Sequence, residues 1–143
     1  MANMNKSDLI KAIKKARFVF VCGNGGSASN AEHFTNDLFK KGIKAICLNS
    51  NVSLTTMIAN DHGYHYIFAK QLELFADYQD LLVTISCSGK SPNIFYVQEL
   101  ADHLNIPMYA FETFKDSEEH SFKDYGLLEN KHLQLIHAVT AEL

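Results

Sequence analysis

The chain has 143 residues, enough for one domain with a sizeable core and too few for two of ordinary size. Hydrophobic residues make up 47% and charged residues 20%, which excludes a disordered or collagen-like chain. A formal charge of −3 lacks the basic footprint of a nucleic-acid binder or a protein held on an anionic membrane. Three cysteines, at positions 22, 47 and 87, are an odd count without metal spacing and read as reduced thiols. No apolar run approaches the roughly 18 residues of a membrane span. Met1 to Lys15 carries no apolar signal core. The expectation is a cytoplasmic protein without a nucleic-acid or membrane partner.

In chain order, Ser7 to Ala16 is expected as a short amphipathic helix capped by Ser7, with Leu9, Ile10 and Ile13 as its apolar stripe. Phe18 to Cys22 is apolar at every position, the pattern of a strand buried on both faces, and Gly23 ends it. Ser27 to Lys40 predicts a helix, with Gly42 at its stop. Ile43 to Leu48 predicts a second buried strand. Ser53 to Asn60 and Tyr66 to Phe75 predict helices around a polar turn at Asp61, His62 and Gly63. Leu81 to Ile85 predicts a third strand, and Ser91 to Leu104 a helix with Pro92 in its first turn. Pro107 to Phe111 predicts a fourth strand, Thr113 to Lys123 a loop, Tyr125 to Leu128 a short fifth strand and Glu129 to Leu143 a closing helix. Such alternation implies an α/β fold over residues 1–143: a three-layer αβα sandwich around a mostly parallel, five-stranded sheet. Ligands of such sheets bind beyond the carboxyl ends of the strands, which singles out the loops after the first and third strands.

The first of these loops reads Gly23-Asn24-Gly25-Gly26-Ser27-Ala28-Ser29-Asn30. It is neither a dinucleotide fingerprint nor a Walker A loop, and read alone it fits a tight turn as well as a ligand loop. The second reads Ser86-Cys87-Ser88-Gly89-Lys90-Ser91. Its hydroxyls and backbone N–H groups suit phosphate oxygens. Lys90 either adds charge or is simply solvated, and Ser91 also fits a helix cap. Two such loops on one sheet favour a phosphate-ester site over two structural turns.

The blocks CGNGGSASNAEHF, LTTMIANDHGY and ISCSGKSPNI resemble the sugar isomerase (SIS) family, and within it the phosphoheptose isomerases. The resemblance runs from about Phe18 to Leu143. It implies that the serine-rich loop holds phosphate through Ser86, Cys87, Ser88 and Ser91, with Cys87 where a threonine is usual and Lys90 where an asparagine is usual. It also implies sugar contacts from Asn24, Gly25 and Ser27 and a substrate-binding role for Asp61, which without it reads as a helix-ending turn residue.

His33 and Asp37 are spaced i, i+4 on one helix and share a face, an arrangement that also suits a plain surface hydrogen bond. Glu129 and His137 are eight residues apart on the last helix, about 80° around it. Two His and two carboxylates suit a zinc-type site. The resemblance implies the same four positions as metal ligands, with Asp37 in place of the usual Glu and Glu129 in place of the usual Gln. His62, His65, His103 and His120 carry no motif context and read as structural, and His132 fits an ordinary helix-face residue.

The resemblance, together with the paired His/carboxylate set, implies a phosphosugar aldose–ketose isomerase with Asp37 and His137 as acid–base groups and zinc as a cofactor. The expected substrate pair is sedoheptulose 7-phosphate and D-glycero-D-manno-heptose 7-phosphate, used in heptose and lipopolysaccharide synthesis. The alternative within the family is a non-catalytic phosphosugar sensor or a protein that binds the replication initiator. The resemblance also implies a homo-oligomer, a tetramer or a dimer, although the segment before the first strand, residues 1–16, is shorter than the family's long first helix. An arginine of the family stands as Lys41, and an aspartate as Gly126.

Overall fold

The computed structural model describes residues 5–115 and 118–143. Part of the Met1–Lys15 segment and part of the Thr113–Lys123 segment therefore lie outside the described residues. In chain order the elements are α1 (Lys6–Lys15), β1 (Val19–Gly23), α2 (Gly26–Lys40), β2 (Ala45–Cys47), α3 (Val52–His62), a 3-10 turn (Tyr64–Tyr66), α4 (Ala69–Phe75), β3 (Leu81–Ile85), α5 (Pro92–His103), β4 (Met108–Ala110) and α6 (Phe122–Ala141). The four strands form one parallel sheet in the order β2-β1-β3-β4.

β1 and β3 are buried at every position, as their unbroken apolar runs require. Their side chains alternate between two cores. Val19, Val21, Leu81, Val83 and Ile85 pack with Leu9, Phe34, Leu38 and Ile136 beneath α1, α2 and α6. Phe20, Cys22 and Leu82 pack with Ile58, Phe68, Leu72, Ile94 and Val97 beneath α3, α4 and α5. The three-layer αβα architecture follows directly from this division.

Four expectations change. The sheet has four strands among the described residues, not five, because Tyr125 to Leu128 lies inside α6. A capping box decides this: Ser121 Oγ accepts from the Asp124 N–H while Asp124 Oδ2 accepts from the Ser121 N–H, so helix begins at Phe122 and runs through Gly126. β2 is a three-residue edge strand, not a buried one, and Ile46 is 37% exposed. α1 begins at Lys6, since Asn5 Oδ1 accepts from the Asp8 N–H and caps it two residues earlier than Ser7 would. Asp61 and His62 end α3, and Gly63 alone makes the turn.

At the amino ends of the strands, Asp80 is 1% exposed and accepts four hydrogen bonds: Arg17 Nε (3.0 Å), an Arg17 Nη (2.8 Å), the Phe18 N–H (3.0 Å) and the Asp77 N–H (2.7 Å). Burial alone raises its carboxyl, but the bonds from Arg17, Asp77 and Phe18 outweigh burial and hold it below the usual carboxylate range. A depressed folded pKa contributes stability that is present above the unfolded value of about 3.9 and is lost as pH falls through the folded one. Asp80→Asn is therefore expected to lower the neutral-pH Tm by roughly 5–8 °C. It should also narrow the gap between the neutral and pH 3 melting temperatures, as followed by circular dichroism.

Candidate functional site

The strand order reverses direction between β1 and β3: the chain leaves β1 for β2 on one side and later returns to β3 on the other. The crevice at such a switch point is where open α/β sheets bind ligands. Both loops named from the sequence open onto it.

Gly23 ends β1 in close quarters, since a Cβ there would lie 2.6 Å from the Ser27 carbonyl oxygen and 2.8 Å from that of Ile85. Gly25 caps α2 at φ 56° and ψ −123°, a combination open essentially to glycine alone. Ser27 is 4% exposed at the start of α2. Across the crevice, Ser86 Oγ accepts from the Gly89 N–H (3.0 Å) and Ser88 Oγ from the Lys90 N–H (3.2 Å), which curls the serine loop over itself. Ser91 precedes α5, but its side chain makes no capping bond, so its hydroxyl is not committed to the helix. Cys87 is buried at 4% exposure. Burial pushes its thiol up, a hydrogen bond with Ser27 opposes this, and the Glu129 carboxylate adds to it. The thiol thus stays neutral and brings no negative charge to the loop.

Two asparagines that sequence reasoning missed hold these loops. Asn49 bridges to the end of β1, accepting from the Gly23 N–H (3.2 Å) and donating to the Gly23 carbonyl (2.7 Å). Asn93 pairs with Asn24: Asn24 Nδ2 donates to Asn93 Oδ1 (2.8 Å), and Asn93 Nδ2 donates to Asn24 Oδ1 (2.9 Å). Tyr64 Oη also donates to Asn24 Oδ1, at 3.4 Å. Nothing in the local sequence marks Asn93, because an Asn in a first helical turn reads as ordinary polar surface.

The acid–base candidates stand further down the same layer. α2 and α6 run side by side in the same direction: Asn30 Nδ2 donates to the Glu129 carbonyl (3.0 Å), and one turn further His33 Nε2 lies 3.0 Å from His137 Nε2. His33 Nε2 is also 3.2 Å from Asp37 Oδ2. One ligand atom from each of His33, Asp37 and His137 falls within 4.8 Å of the others. Asp37 and His137 of the trio line a shallow cavity of about 310 Å³ together with Lys40, Lys41, Thr140 and Ala141. Lys41 thus stands beside the trio, where the resemblance implies an arginine.

Glu129 is not among them. Eight helical residues separate it from His137 by about 12 Å along α6, a distance the angular reading ignored. Its carboxylate lies against Gly26, at the amino end of α2, where a Cβ would overlap it. A helix amino terminus carries partial positive charge and favours a carboxylate there. Asp61 is exposed near the end of α3, where its carboxylate accepts from Asn60 Nδ2 (3.0 Å), and among the described residues no hydrogen bond or ion pair ties it to either loop. His132 is structural: it is 2% exposed, donates from Nε2 to the Glu112 carbonyl (2.7 Å) and sits edge-on to Phe111. Burial holds its pKa down. His65 and His120 are engaged with aromatic rings, His65 with Tyr66 and Tyr96 and His120 stacked on Phe114.

The trio fits a divalent metal. Two imidazole nitrogens with a carboxylate make a three-ligand set that leaves a position for substrate or water. Tetrahedral zinc with bonds of about 2.0–2.1 Å places two nitrogens roughly 3.3 Å apart, close to the 3.0 Å between these rings.

A parallel sheet with a hydroxyl-rich loop at its switch point and a His/carboxylate trio on the flanking helices defines an α/β domain with a candidate ligand crevice. The chain belongs to the SIS domain family, whose pattern matches residues 5–112. It is 41% identical over 104 residues to the phosphoheptose isomerase of Helicobacter pylori, a match covering 68% of this chain and 54% of that protein. To the phosphoheptose isomerase of Clostridium acetobutylicum it is 35% identical over 126 residues, covering 84% and 64%. The solved phosphoheptose isomerase of Neisseria gonorrhoeae superposes with a TM-score of 0.81 at 26% identity, covering 95% of this chain and 80% of that one. The chain spans about half the length of the Helicobacter pylori protein. α6, which carries His137, lies beyond the matched family segment. Among the described residues no helix is long and apolar enough to cross a membrane.

Proposed function

We propose that this chain is a cytoplasmic phosphosugar aldose–ketose isomerase that interconverts sedoheptulose 7-phosphate and D-glycero-D-manno-heptose 7-phosphate. The observation that carries the reading is the His33–Asp37–His137 trio, set two turns down α2 from a phosphate-type cradle. Seven helical residues between Gly26 and His33 span about 10 Å. A heptose extended from its phosphate reaches roughly 8–10 Å to its carbonyl end, at about 1.5 Å per bond. The phosphate then sits among Ser86, Ser88 and Ser91 while C1 and C2 reach the trio. The names of the relatives support the same substrate class.

In this reading Asp37 takes the proton from C1 of the ketose. The electron pair closes a C1–C2 double bond, and O2 gains a proton from the acid–base group. The enediol then loses the O1 proton, C2 gains one, and no net atom is exchanged. His137 is suited to the second pair of transfers, since imidazole gives and takes protons near neutrality. His33 orients both partners from its place between them. Zinc held by His33, Asp37 and His137 would supply carbonyl polarisation. Lys41 stands beside the trio as a single charge, where a guanidinium would clamp two oxygens at once.

Conversion of sedoheptulose 7-phosphate by the purified protein, followed by NMR with zinc content measured by mass spectrometry, tests the reading. Turnover that falls on chelation and returns with zinc is the expected result. Bound phosphosugar without turnover would replace the enzyme with a sensor, and neither would point to a partner-binding scaffold. A homo-oligomer that deepens the shallow crevice is expected from the same reading. A monomer by light scattering at micromolar concentration would count against it.

A further inference from the structure

We propose that Asn93 is a positioning residue for ligand binding, acting through Asn24. The proposal rests on the phosphosugar reading for the identity of the ligand, but its geometric part stands on the amide pair alone. Asn93 is 2% exposed at the second position of α5, directly after Pro92. A buried primary amide needs partners for both its oxygen and its nitrogen. Here it finds both in a single residue, Asn24, 69 positions away, through bonds of 2.8 and 2.9 Å.

The pair joins the two walls of the crevice. Asn24 belongs to the loop after β1, and Asn93 to the helix that follows the serine loop after β3. Asn24 Oδ1 is fully occupied, by Asn93 Nδ2 and by Tyr64 Oη. Asn24 Nδ2 gives one N–H to Asn93 Oδ1. Among the described residues nothing takes its second N–H, which is free to meet a hydroxyl or carbonyl oxygen of a bound sugar. The buried amide thereby fixes the rotamer of an otherwise mobile polar side chain before ligand arrives. Ordering a side chain in advance removes that cost from binding.

None of Asp, Ala or Ser at 93 reproduces the pair. An Asp at 93 accepts from Asn24 Nδ2 but turns an oxygen towards Asn24 Oδ1 and buries a negative charge near a phosphate site. An Ala leaves both Asn24 groups without their partner. A Ser keeps one small donor and restores half of the exchange.

The test is a double-mutant cycle with Asn24→Ala and Asn93→Ala, with Asn93→Ser added in case the alanine variant does not fold. Titration calorimetry gives the Kd of sedoheptulose 7-phosphate and of inorganic phosphate, circular dichroism checks the fold, and NMR reads the Asn24 side-chain NH₂ signals. Asn93→Ala is expected to weaken sedoheptulose 7-phosphate about tenfold and Asn93→Ser less. Neither should change the phosphate Kd more than about twofold, because the serine loop is intact. In the Asn24→Ala background, removal of Asn93 should add nothing. The wild-type Asn24 amide should show one slowly exchanging proton that Asn93→Ala loses.

Additive effects of the two substitutions would overturn the proposal, as they would make Asn93 a structural strut independent of Asn24. An equal loss of phosphate affinity would overturn it as well, by assigning Asn93 to the serine loop. Failure of the wild type to bind sedoheptulose 7-phosphate would instead defeat the phosphosugar reading. In that case the Asn24 amide signals decide the geometric part: no change on removing Asn93 overturns it.

Discussion

His137→Ala and Asp37→Asn are each expected to reduce sedoheptulose 7-phosphate turnover by 10²–10⁴-fold, the usual contribution of a positioned acid–base group. The loss should fall on kcat, with the phosphosugar Kd changed far less, because the serine loop that would hold the phosphate follows β3 and none of its residues belongs to the trio. The two losses should not multiply. Both side chains meet His33 Nε2, at 3.0 and 3.2 Å, so they act as one unit. Both variants should also bind zinc more weakly, which metal analysis reads without any assay of activity. Asp37→Glu adds the methylene that the resemblance implies and should retain turnover. Full activity in both His137→Ala and Asp37→Asn would remove the trio from the chemistry.

Gly23→Ala should be the most damaging small substitution. The added Cβ meets backbone oxygens on both sides, those of Ser27 and Ile85, so no flexible side chain can give way. A cost of about 3 kcal/mol or more is expected, at the upper end for overpacking. β1 and the start of α2 would have to move apart, carrying Asn24 and Ser27 with them, so ligand affinity should fall with stability. Gly25→Ala is the control. It meets no atom within 4 Å, and its cost comes from a φ of 56° alone. Chemical denaturation of the two variants checks the order: Gly25→Ala should lose about 1–3 kcal/mol. A Gly23→Ala variant as stable as the parent would show that the loop is looser than its contacts indicate.

The central strands were legible because both of their faces are buried, so Val19 to Cys22 and Leu81 to Ile85 could be written only in apolar residues. β2 was overread, since the same inference fails for a short strand at an edge, where Ile46 faces outward. The expected fifth strand rested on the Tyr125–Leu128 run alone, while Ser121 and Asp124 just before it mark a helix start. That pair carries the stronger local signal, because it satisfies helix N–H groups that an apolar run leaves untouched. In the site, the glycine- and serine-rich loops were visible because their composition is unusual for strand-to-helix turns. Asn49 and Asn93 were not, since their meaning comes from partners 26 and 69 residues distant. Glu129 was placed with the trio by its angle around α6, while its distance along the axis sets it beside Gly26 instead.

The division of the site between strand ends and flanking helices has an evolutionary consequence. The cradle is built from loops anchored in the central sheet, where nearly every change disturbs the core. The trio draws on the outward faces of α2 and α6, where His33 and His137 are exposed and a substitution costs the fold little. On the proposed reading, selection can therefore rewrite or retire the chemistry through a few changes on α2 and α6 and leave ligand recognition untouched. A lineage built on this scaffold can pass from catalyst to receptor without an unfolded intermediate.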